Sequence, residues 1–431
     1  MQQIVRGGIF RLSFTVFNFL VGLFIAAIAG TELFGTLSLM IINAAVFQII
    51  TGLGTDAAII WHGSSKSISK EKAFSFTFYT ALLQLGFFLM AAILFLKFTD
   101  KLFLSRQANN SFYWAELMYF IGIVITEKYS SLFYSQQKQH VCNKVLSIIS
   151  FAFLLIFGIV YFFDWIKNFN PLWFFCWMIF FQSLALLFTY HLKESFSLKK
   201  LNKEEIQSFA HFSFLVFVTN TIQFLAYRSD YWFINYFKQL TDVGVYAQAV
   251  RFAQLLWVLP NIAAALILPV LAAPEGLLSE NKLLKIIKIA NWINIVLIGF
   301  LLIFAFLAYA YFIPDFASGF RALIIMLPGY YFFCISILFA AYFSAKRKLI
   351  YNFYGSLICF GLIIVFDILL IPRWSIEGAA ISNTMAYTLA TIFNIFMFQR
   401  STGISMKKLF FFEKVDWTDF KQLITRIEKT S

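Results

Sequence analysis

Polar side chains recur at helical spacing inside strongly apolar stretches of this chain. Three groups follow this spacing: Arg11, Thr15, Asn18 and Gly22; Asn220, Gln223, Tyr227 and Asp230; and Arg251, Gln254 and Asn261. Two further stretches carry polar residues without it: Asn43, Gln48 and Asp56, and Glu116, Glu127 and Lys128. Residues three or four positions apart share one helix face. Guanidinium, ammonium and amide groups bind phosphate and hydroxyl oxygens, so these residues predict recognition of a polar, anionic ligand.

A water-filled cavity between helices would explain these polar groups together. The candidate binding residues are Arg11, Asn18, Lys128, Asn220, Arg228, Asp230, Arg251 and Gln254. Arg11 and Lys128 lie toward one end of the expected cavity, and Arg228, Arg251 and Arg321 toward the other, where Arg321 is more typical of an interfacial anchor. Cations at both mouths suit an anionic substrate that enters on one side and leaves on the other. The acidic residues Asp56, Glu127 and Asp367 are candidates for ion coupling.

Several of these residues also have a structural interpretation. Arg11 can snorkel to the membrane interface, and Arg228 and Asp230 can pair with each other. Glu127 and Lys128 are adjacent. Neighbours on a helix point about 100° apart, so these two need not neutralise each other.

No catalytic signature accompanies the polar groups. The sequence has no Walker A motif, no HExxH pair and no CxxC pair. It therefore predicts no ATP engine and no metal centre. We expect no enzyme activity, no cofactor and no metal.

The composition requires membrane-spanning helices to position these residues. The 431 residues are 61% hydrophobic and only 13% charged, with a mean hydropathy of +0.79. A soluble domain is about half apolar and a quarter charged. We predict an all-α polytopic membrane protein with twelve spans. They cover about 9–29, 35–60, 73–97, 112–134, 145–163, 170–192, 209–237, 243–272, 289–313, 318–345, 349–371 and 376–398.

Lysine and arginine are much more frequent in the loops on the N-terminal side of these spans than in the opposite loops. The positive-inside rule then places both termini in the cytoplasm. The net charge of +13 is spread over many short loops. It is a topology signal, and we expect no nucleic-acid partner.

The spans divide into two lobes of six. We predict an N-terminal lobe at 1–192, an inter-lobe linker at 193–208, a C-terminal lobe at 209–398 and a cytoplasmic tail at 399–431. Asn202 and Glu205 have capping-box spacing, so a helix can begin inside the linker. TELFGTLS at 31–38 resembles TDVGVYAQ at 241–248, with Gly35 opposite Gly244 at an offset of 209, which suggests a parallel repeat. The tail has an apolar helical face and is expected to form an amphipathic helix on the lipids of the inner leaflet. Asp416 could cap the start of this helix.

Glycine and proline interrupt three of the predicted spans. Gly52 and Gly54 fall in the second span, Pro260 and Pro269 in the eighth, and Pro328 in the tenth. Such breaks are tolerated where the freed backbone groups line a cavity or pack on other helices.

Several short motifs resemble one transporter family. They are ELFGTLS at 32–38, GLGTDAAI at 52–59, RSDYWFINYF at 228–237, VGVYAQAVRF at 243–252, LPV at 268–270 and ILLIPRWSIEGAAISNTMAY at 368–387. In this order and spacing they resemble the O-antigen-type (Wzx-like) polysaccharide flippases of the multidrug/oligosaccharidyl-lipid/polysaccharide (MOP) exporter superfamily. The resemblance covers about 1–398. Arg228 and Arg251 lie within matched motifs, and Arg11 matches by position.

The resemblance implies a MATE-like fold of two six-helix lobes around a cavity. It implies a flippase that moves polyprenyl-pyrophosphate-linked oligosaccharide repeat units of O-antigen, capsule or exopolysaccharide from the inner to the outer leaflet. The implied location is the bacterial cytoplasmic (inner) membrane. The implied partners are Na+ or H+ and a polymerase or ligase of the same glycan pathway.

Two other transport functions remain open from the sequence. One is an ion-coupled multidrug antiporter of the same superfamily, although that function favours buried acidic groups and the deep charge here leans basic. The other is a flippase for the peptidoglycan precursor, which differs only in substrate. A membrane enzyme such as a glycan polymerase or ligase is disfavoured because no large external loop is present.

Overall fold

The computed structural model describes residues 2–65, 68–99, 101–105, 112–163, 169–192, 198–272 and 280–404. These residues form helices and short connections, and no strand occurs among them. The helices are α1 Gln2–Gly52, α2 Thr55–Ser64, α3 Lys70–Thr99, α4 Tyr113–Ser135, α5 Gln139–Phe162, α6 Pro171–His191, α7 Lys203–Phe237, α8 Leu240–Gln254, α9 Val258–Ala272, α10 Glu280–Leu307, α11 Gly319–Ala345 and α12 Leu349–Thr402. The predicted amphipathic tail helix lies outside the described residues.

Eight helices of the described part are long and apolar enough to cross a membrane. They are Arg6–Gly52 of α1, α3, α5, α6, α7, Leu283–Phe312, α11 and α12. The prediction of an all-helical protein with several membrane-spanning helices is therefore confirmed for the described residues. The number of crossings, twelve, stays a prediction.

The two longest helices each combine two predicted spans. Residues 30–34 lie between two such spans, yet α1 runs through them with a single non-helical residue, Gly30 (φ 70°, ψ 178°). In α12 the corresponding residue is Ser375 (φ 49°, ψ −130°), three positions after Pro372. A span needs about 20 residues, so the 51 and 54 residues of these helices suffice for two crossings each. In each of these two helices, one residue with positive φ therefore changes the direction of the backbone without an open loop.

The predicted interruptions of the second and eighth spans are both present. Leu53 and Gly54 separate α1 from α2, with φ of 48° and 72°. A 3₁₀ turn at Leu255–Trp257 separates α8 from α9, and Pro260 follows it in the first turn of α9. Proline lacks an N–H and its ring clashes with the carbonyl four residues earlier, which explains the tightened turn.

The helix that follows the predicted linker begins within it. Asn202 and Glu205 form the predicted capping box: the Asn202 N–H donates to Glu205 Oε2 at 2.8 Å. This arrangement satisfies two of the free N–H groups at the start of α7. Residues 203–208 are therefore helix rather than linker.

Contacts divide the chain into two compact units. Unit 1 comprises Met1–Gln248 and Tyr309–Ser318, and unit 2 comprises Ala249–Ala308 and Gly319–Ser431. The division falls within α8 rather than at 193–208. The lobe boundaries given above stay a prediction.

Each unit has its own apolar core. In unit 1, residues from α2 to α7 pack together, among them Ile59, Phe74, Phe133 and Phe209. In unit 2, residues from α9, α10, α11 and α12 do so, among them Ile287, Phe339 and Phe398. These side chains are less than a tenth exposed, so each core excludes solvent and lipid.

A close backbone approach in unit 1 joins α1 to the start of α8. A Cβ added to Gly35 would overlap Leu240 O, and one added to Gly244 would overlap Thr31 O. Only glycine fits at either position, because each backbone lies against the other with no room for a side chain. These are the two glycines that the sequence repeat aligns.

We expect Gly244→Val to destabilise the protein by about 1–3 kcal/mol, the usual cost of overfilling a packed site. The measurement is thermal unfolding of the purified protein in one detergent. Gly86→Ala is the matched control, because nothing lies within 4 Å of a Cβ at Gly86. Equal melting temperatures for the two variants would contradict the close contact.

Candidate functional site

One charged cluster lies where α1 ends and α2 begins. Lys128 of α4 reaches this point with a side chain that is only 1% exposed. Its Nζ donates to Thr55 Oγ1 at 2.7 Å and lies 3.0 Å from Asp56 Oδ1. A buried ammonium group needs such partners, because an isolated buried charge is strongly unfavourable.

The break in the helix creates this environment. Thr55 Oγ1 donates to Gly52 O at 2.7 Å, so the hydroxyl links the ammonium group to the carbonyl end of α1. Asp56 lies in the first turn of α2, where the helix dipole favours a carboxylate. The carbonyl end of α1 favours a cation for the same reason. The break thus places a negative and a positive helix end at one point.

Glu127, the neighbour of Lys128, has a different partner. Its carboxylate is exposed and accepts a hydrogen bond from Gln48 Nε2 of α1. It still interacts electrostatically with Asp56 and Lys128. The structure therefore brings Asp56, Glu127 and Lys128 together, with adjacent residues of α4 pointing in different directions as helical geometry predicts.

A second cluster lies on α7 and α8. Asp230 is 1% exposed. It accepts hydrogen bonds from the hydroxyl of Tyr246 and, at 2.9 Å, from the N–H of Tyr231. Arg228 donates to Tyr231 Oη at 3.2 Å, and its guanidinium lies 5.6 Å from the centre of that ring. Tyrosines thus organise the two charged residues of the matched motif.

The other predicted residues of unit 1 lie apart from these clusters. Arg11 is exposed on α1, with its guanidinium 5.5 Å from the Phe14 ring centre. Asn18 Nδ2 donates to Ser150 Oγ at 3.1 Å, and Ser150 also accepts from Gln182 Nε2 at 2.9 Å. Asn18 therefore joins α1 to α5. Asn220 is exposed on α7.

Three predicted residues belong to unit 2. Arg251 and Gln254 are part-buried, one turn apart at the end of α8. Asp367 is fully buried in α12. A binding role for Arg251 and Gln254 and an ion-coupling role for Asp367 stay predictions.

Some polar residues that contact the clusters or are buried in the structure were not among the predicted site residues. Thr55 contacts Lys128 in the first cluster, and Tyr246 contacts Asp230 in the second. Both residues lie in the family-like motifs. On α10, Lys288, Asn291 and Asn294 are 5%, 4% and 1% exposed. The amides of Asn291 and Asn294 have no hydrogen-bond partner among the described residues. Their spacing of three residues along an apolar helix places them on one face, and this pattern could have identified them in the sequence.

The described residues contain no group of three or more His, Cys, Asp or Glu side chains placed to hold a metal ion. The clusters offer charge and hydrogen bonds for binding. They present no nucleophile paired with a base.

No family model matches this chain, and no curated protein matches it. Several solved structures do match the chain. An inward-facing multidrug resistance MATE family transporter of the MOP superfamily is 17% identical, with 91% of this chain and 97% of that chain covered at a TM-score of 0.69. The lipid II flippase MurJ in an inward closed conformation is 14% identical, with 91% and 87% covered at 0.70.

A MOP superfamily transporter from Pyrococcus furiosus, described as having a binding pocket of reverse polarity, is 14% identical. It covers 93% of this chain and 95% of its own at a TM-score of 0.62. These likenesses establish the fold: the chain is a helical, multi-pass membrane protein with the fold of MOP superfamily transporters. The resemblance is confirmed at this level, and the fold does not distinguish the O-antigen-type family within it.

We expect Tyr246→Phe to destabilise the protein by about 1.5–3 kcal/mol, since it removes a hydrogen bond to a buried carboxylate. Thermal unfolding of the purified protein measures this loss. Tyr236→Phe on the preceding helix α7 is the control, because Tyr236 is 80% exposed and should change stability by less than about 0.5 kcal/mol. A Tyr246 variant as stable as this control would mean that the contact with Asp230 contributes nothing.

Proposed function

We propose that the chain is a flippase that moves polyprenyl-pyrophosphate-linked oligosaccharide repeat units from the inner to the outer leaflet by alternating access. Its membrane would be the bacterial cytoplasmic membrane. The fold of MOP superfamily transporters supports a transport function. The family-like motifs support the substrate class.

The observation that carries the proposal is the state of Arg11. This arginine lies within a helix long and apolar enough to cross a membrane. It is exposed and has no carboxylate partner among the described residues. A charge inside a span is unfavourable unless a partner or a cavity receives it. A pyrophosphate suits a planar guanidinium, which binds phosphate oxygens through two parallel hydrogen bonds.

The other predicted residues offer further groups for binding. Asn220 presents an exposed amide that suits sugar hydroxyls, and Asn18 and Gln254 offer further amides. Arg228 and Arg251 offer positive charge for the pyrophosphate. Lys128 and Asp230 are held by buried partners, so their contact with substrate requires a second conformation. Membrane lipids would accommodate the polyprenyl tail.

Ion coupling belongs to the same proposal. Na+ or H+ would act through Asp56, Glu127 or Asp367. Of these, Glu127 is the exposed carboxylate and Asp367 the fully buried one. Delivery of the flipped unit to a polymerase or ligase of the pathway completes the proposed sequence of events.

One observation favours a second function. Glu127 is an exposed carboxylate on α4, and a cationic drug would suit it. The multidrug transporter and the lipid II flippase match this chain at TM-scores of 0.69 and 0.70. The fold is therefore equally compatible with a cation antiporter, and the substrate must be tested in cells.

The test is depletion of the protein in its native cell, with surface glycan and lipid-linked oligosaccharide followed together. A flippase predicts loss of surface glycan and accumulation of complete single repeat units on the inner leaflet. Normal glycan and normal precursor, with raised sensitivity to cationic dyes, would reject the flippase and support the antiporter. Accumulated lipid II would identify the peptidoglycan precursor as the substrate instead.

Complementation of the depleted cells tests the role of Arg11. We expect Arg11→Ala to reduce glycan export roughly tenfold or more, the effect of losing about 1.5–3 kcal/mol from a charged hydrogen bond. Arg321→Ala is the control, since Arg321 is 76% exposed and pairs with Glu377 at 3.2 Å. Exposed pairs contribute little. Equal export by the two variants, at equal abundance in the membrane, would remove Arg11 from the binding site.

A further inference from the structure

The break between α1 and α2 has the features of a cation site in a discontinuous helix. Transporters bind Na+ or H+ where a membrane helix is interrupted, through freed carbonyls and the carbonyl end of a half-helix. Here Leu53 and Gly54 interrupt the helix, and α1 ends at Gly52. The break is held between neighbours, because a Cβ on Gly54 would overlap Ser213 O of α7 and one on Gly52 would approach Gln84 of α3 at 2.9 Å.

Oxygen atoms converge on this break. They come from the Thr55 hydroxyl and the Asp56 carboxylate, with the Gly52 carbonyl one hydrogen bond farther away. Hard cations are bound by oxygen ligands of these kinds. The carboxyl group of Glu127 lies nearby and interacts electrostatically with Asp56 and Lys128. A small monovalent cation would be well bound by such a group.

That position is already filled by a positive charge of the chain itself. The Lys128 Nζ lies 2.7 Å from Thr55 Oγ1 and 3.0 Å from Asp56 Oδ1, and the side chain is 1% exposed. Its ammonium group therefore contacts the same oxygens that a bound metal cation would use. A lysine that reached toward a substrate cavity would leave Asp56 without this partner.

We infer that the α1–α2 break is a monovalent-cation site whose occupant in this conformation is the ammonium group of Lys128. While Lys128 is in place, the protein binds no sodium at the break. Removal of the ammonium group converts the break into a site for Na+. The inference concerns the ion and not the cargo, so it can fail while the proposed flippase function holds, and the reverse is also true.

The experiment measures thermal unfolding of the purified full-length protein in detergent as choline chloride is replaced by NaCl at constant total salt of about 150 mM. For the native protein we expect no sodium-specific shift. For Lys128→Met we expect a saturable rise in melting temperature of about 3 °C or more, because a ligand that binds only the folded state stabilises it. Hydrogen exchange should show sodium protecting residues 48–60 in this variant alone.

Two further variants isolate the site. Lys128→Met combined with Asp56→Asn removes both charges of the pair, and this double variant should fold without any response to sodium. Lys72→Met removes a lysine from a partly exposed pair with Glu205, and it should also show no sodium response. The double variant also serves as the folding control, because neutral replacement of a buried ion pair is often tolerated.

Each outcome decides the inference. A sodium response of Lys128→Met that is absent from the other proteins supports it. So does a Lys128→Met protein that can be purified folded only in sodium. A sodium response of the native protein that Lys128→Met abolishes would overturn it. It would equally be overturned if Lys128→Met folded without responding to sodium, or failed to fold in sodium while the double variant folded.

Discussion

The buried ammonium group of Lys128 is the constraint on which the arrangement of unit 1 depends. A charge with 1% exposure in a mostly apolar chain must be met by oxygen atoms at short range. The chain supplies them by ending α1 at Gly52 and starting α2 at Thr55. Helices α1, α2 and α4 are therefore fixed to one another by a polar contact that tolerates little displacement. A purely apolar interface would be less directional.

Close backbone contact fixes the remaining geometry of this unit. Gly35 and Gly244 let α1 and α8 touch without side chains between them, and Gly54 does the same for the link between α1 and α2 against α7. Without a hydrophobic force between helices in lipid, such close packing and interhelical hydrogen bonds hold a bundle together. The bonds that join Asn18 to Ser150 and Trp232 to Asn43 are of this second kind. Several polar residues that a sequence reading assigns to a cavity thus also hold the helices together.

The polarity of the groups that remain exposed bears on the cargo. Arg11 and Glu127 are both exposed charges on long helices, one cationic and one anionic. Arg11 suits the pyrophosphate of a lipid-linked glycan, and Glu127 suits an ion or a cationic compound. An ion-coupled flippase needs both kinds of group. A drug antiporter gives the arginine no role, which is why we propose the flippase.

The sequence by itself determined the class and the local structure of this protein. Hydropathy predicted the membrane helices, Asn202 and Glu205 predicted the start of α7, and Gly52 with Gly54 predicted a break, because each of these signals is local. Ordered motifs also predicted the fold. Only the tertiary structure decided which polar side chains meet. It paired Lys128 with Asp56, Asp230 with Tyr246 and Asn18 with Ser150, and it left Arg11 exposed. These partners lie on different helices, and helical spacing fixes the face of a residue but not the residue opposite it.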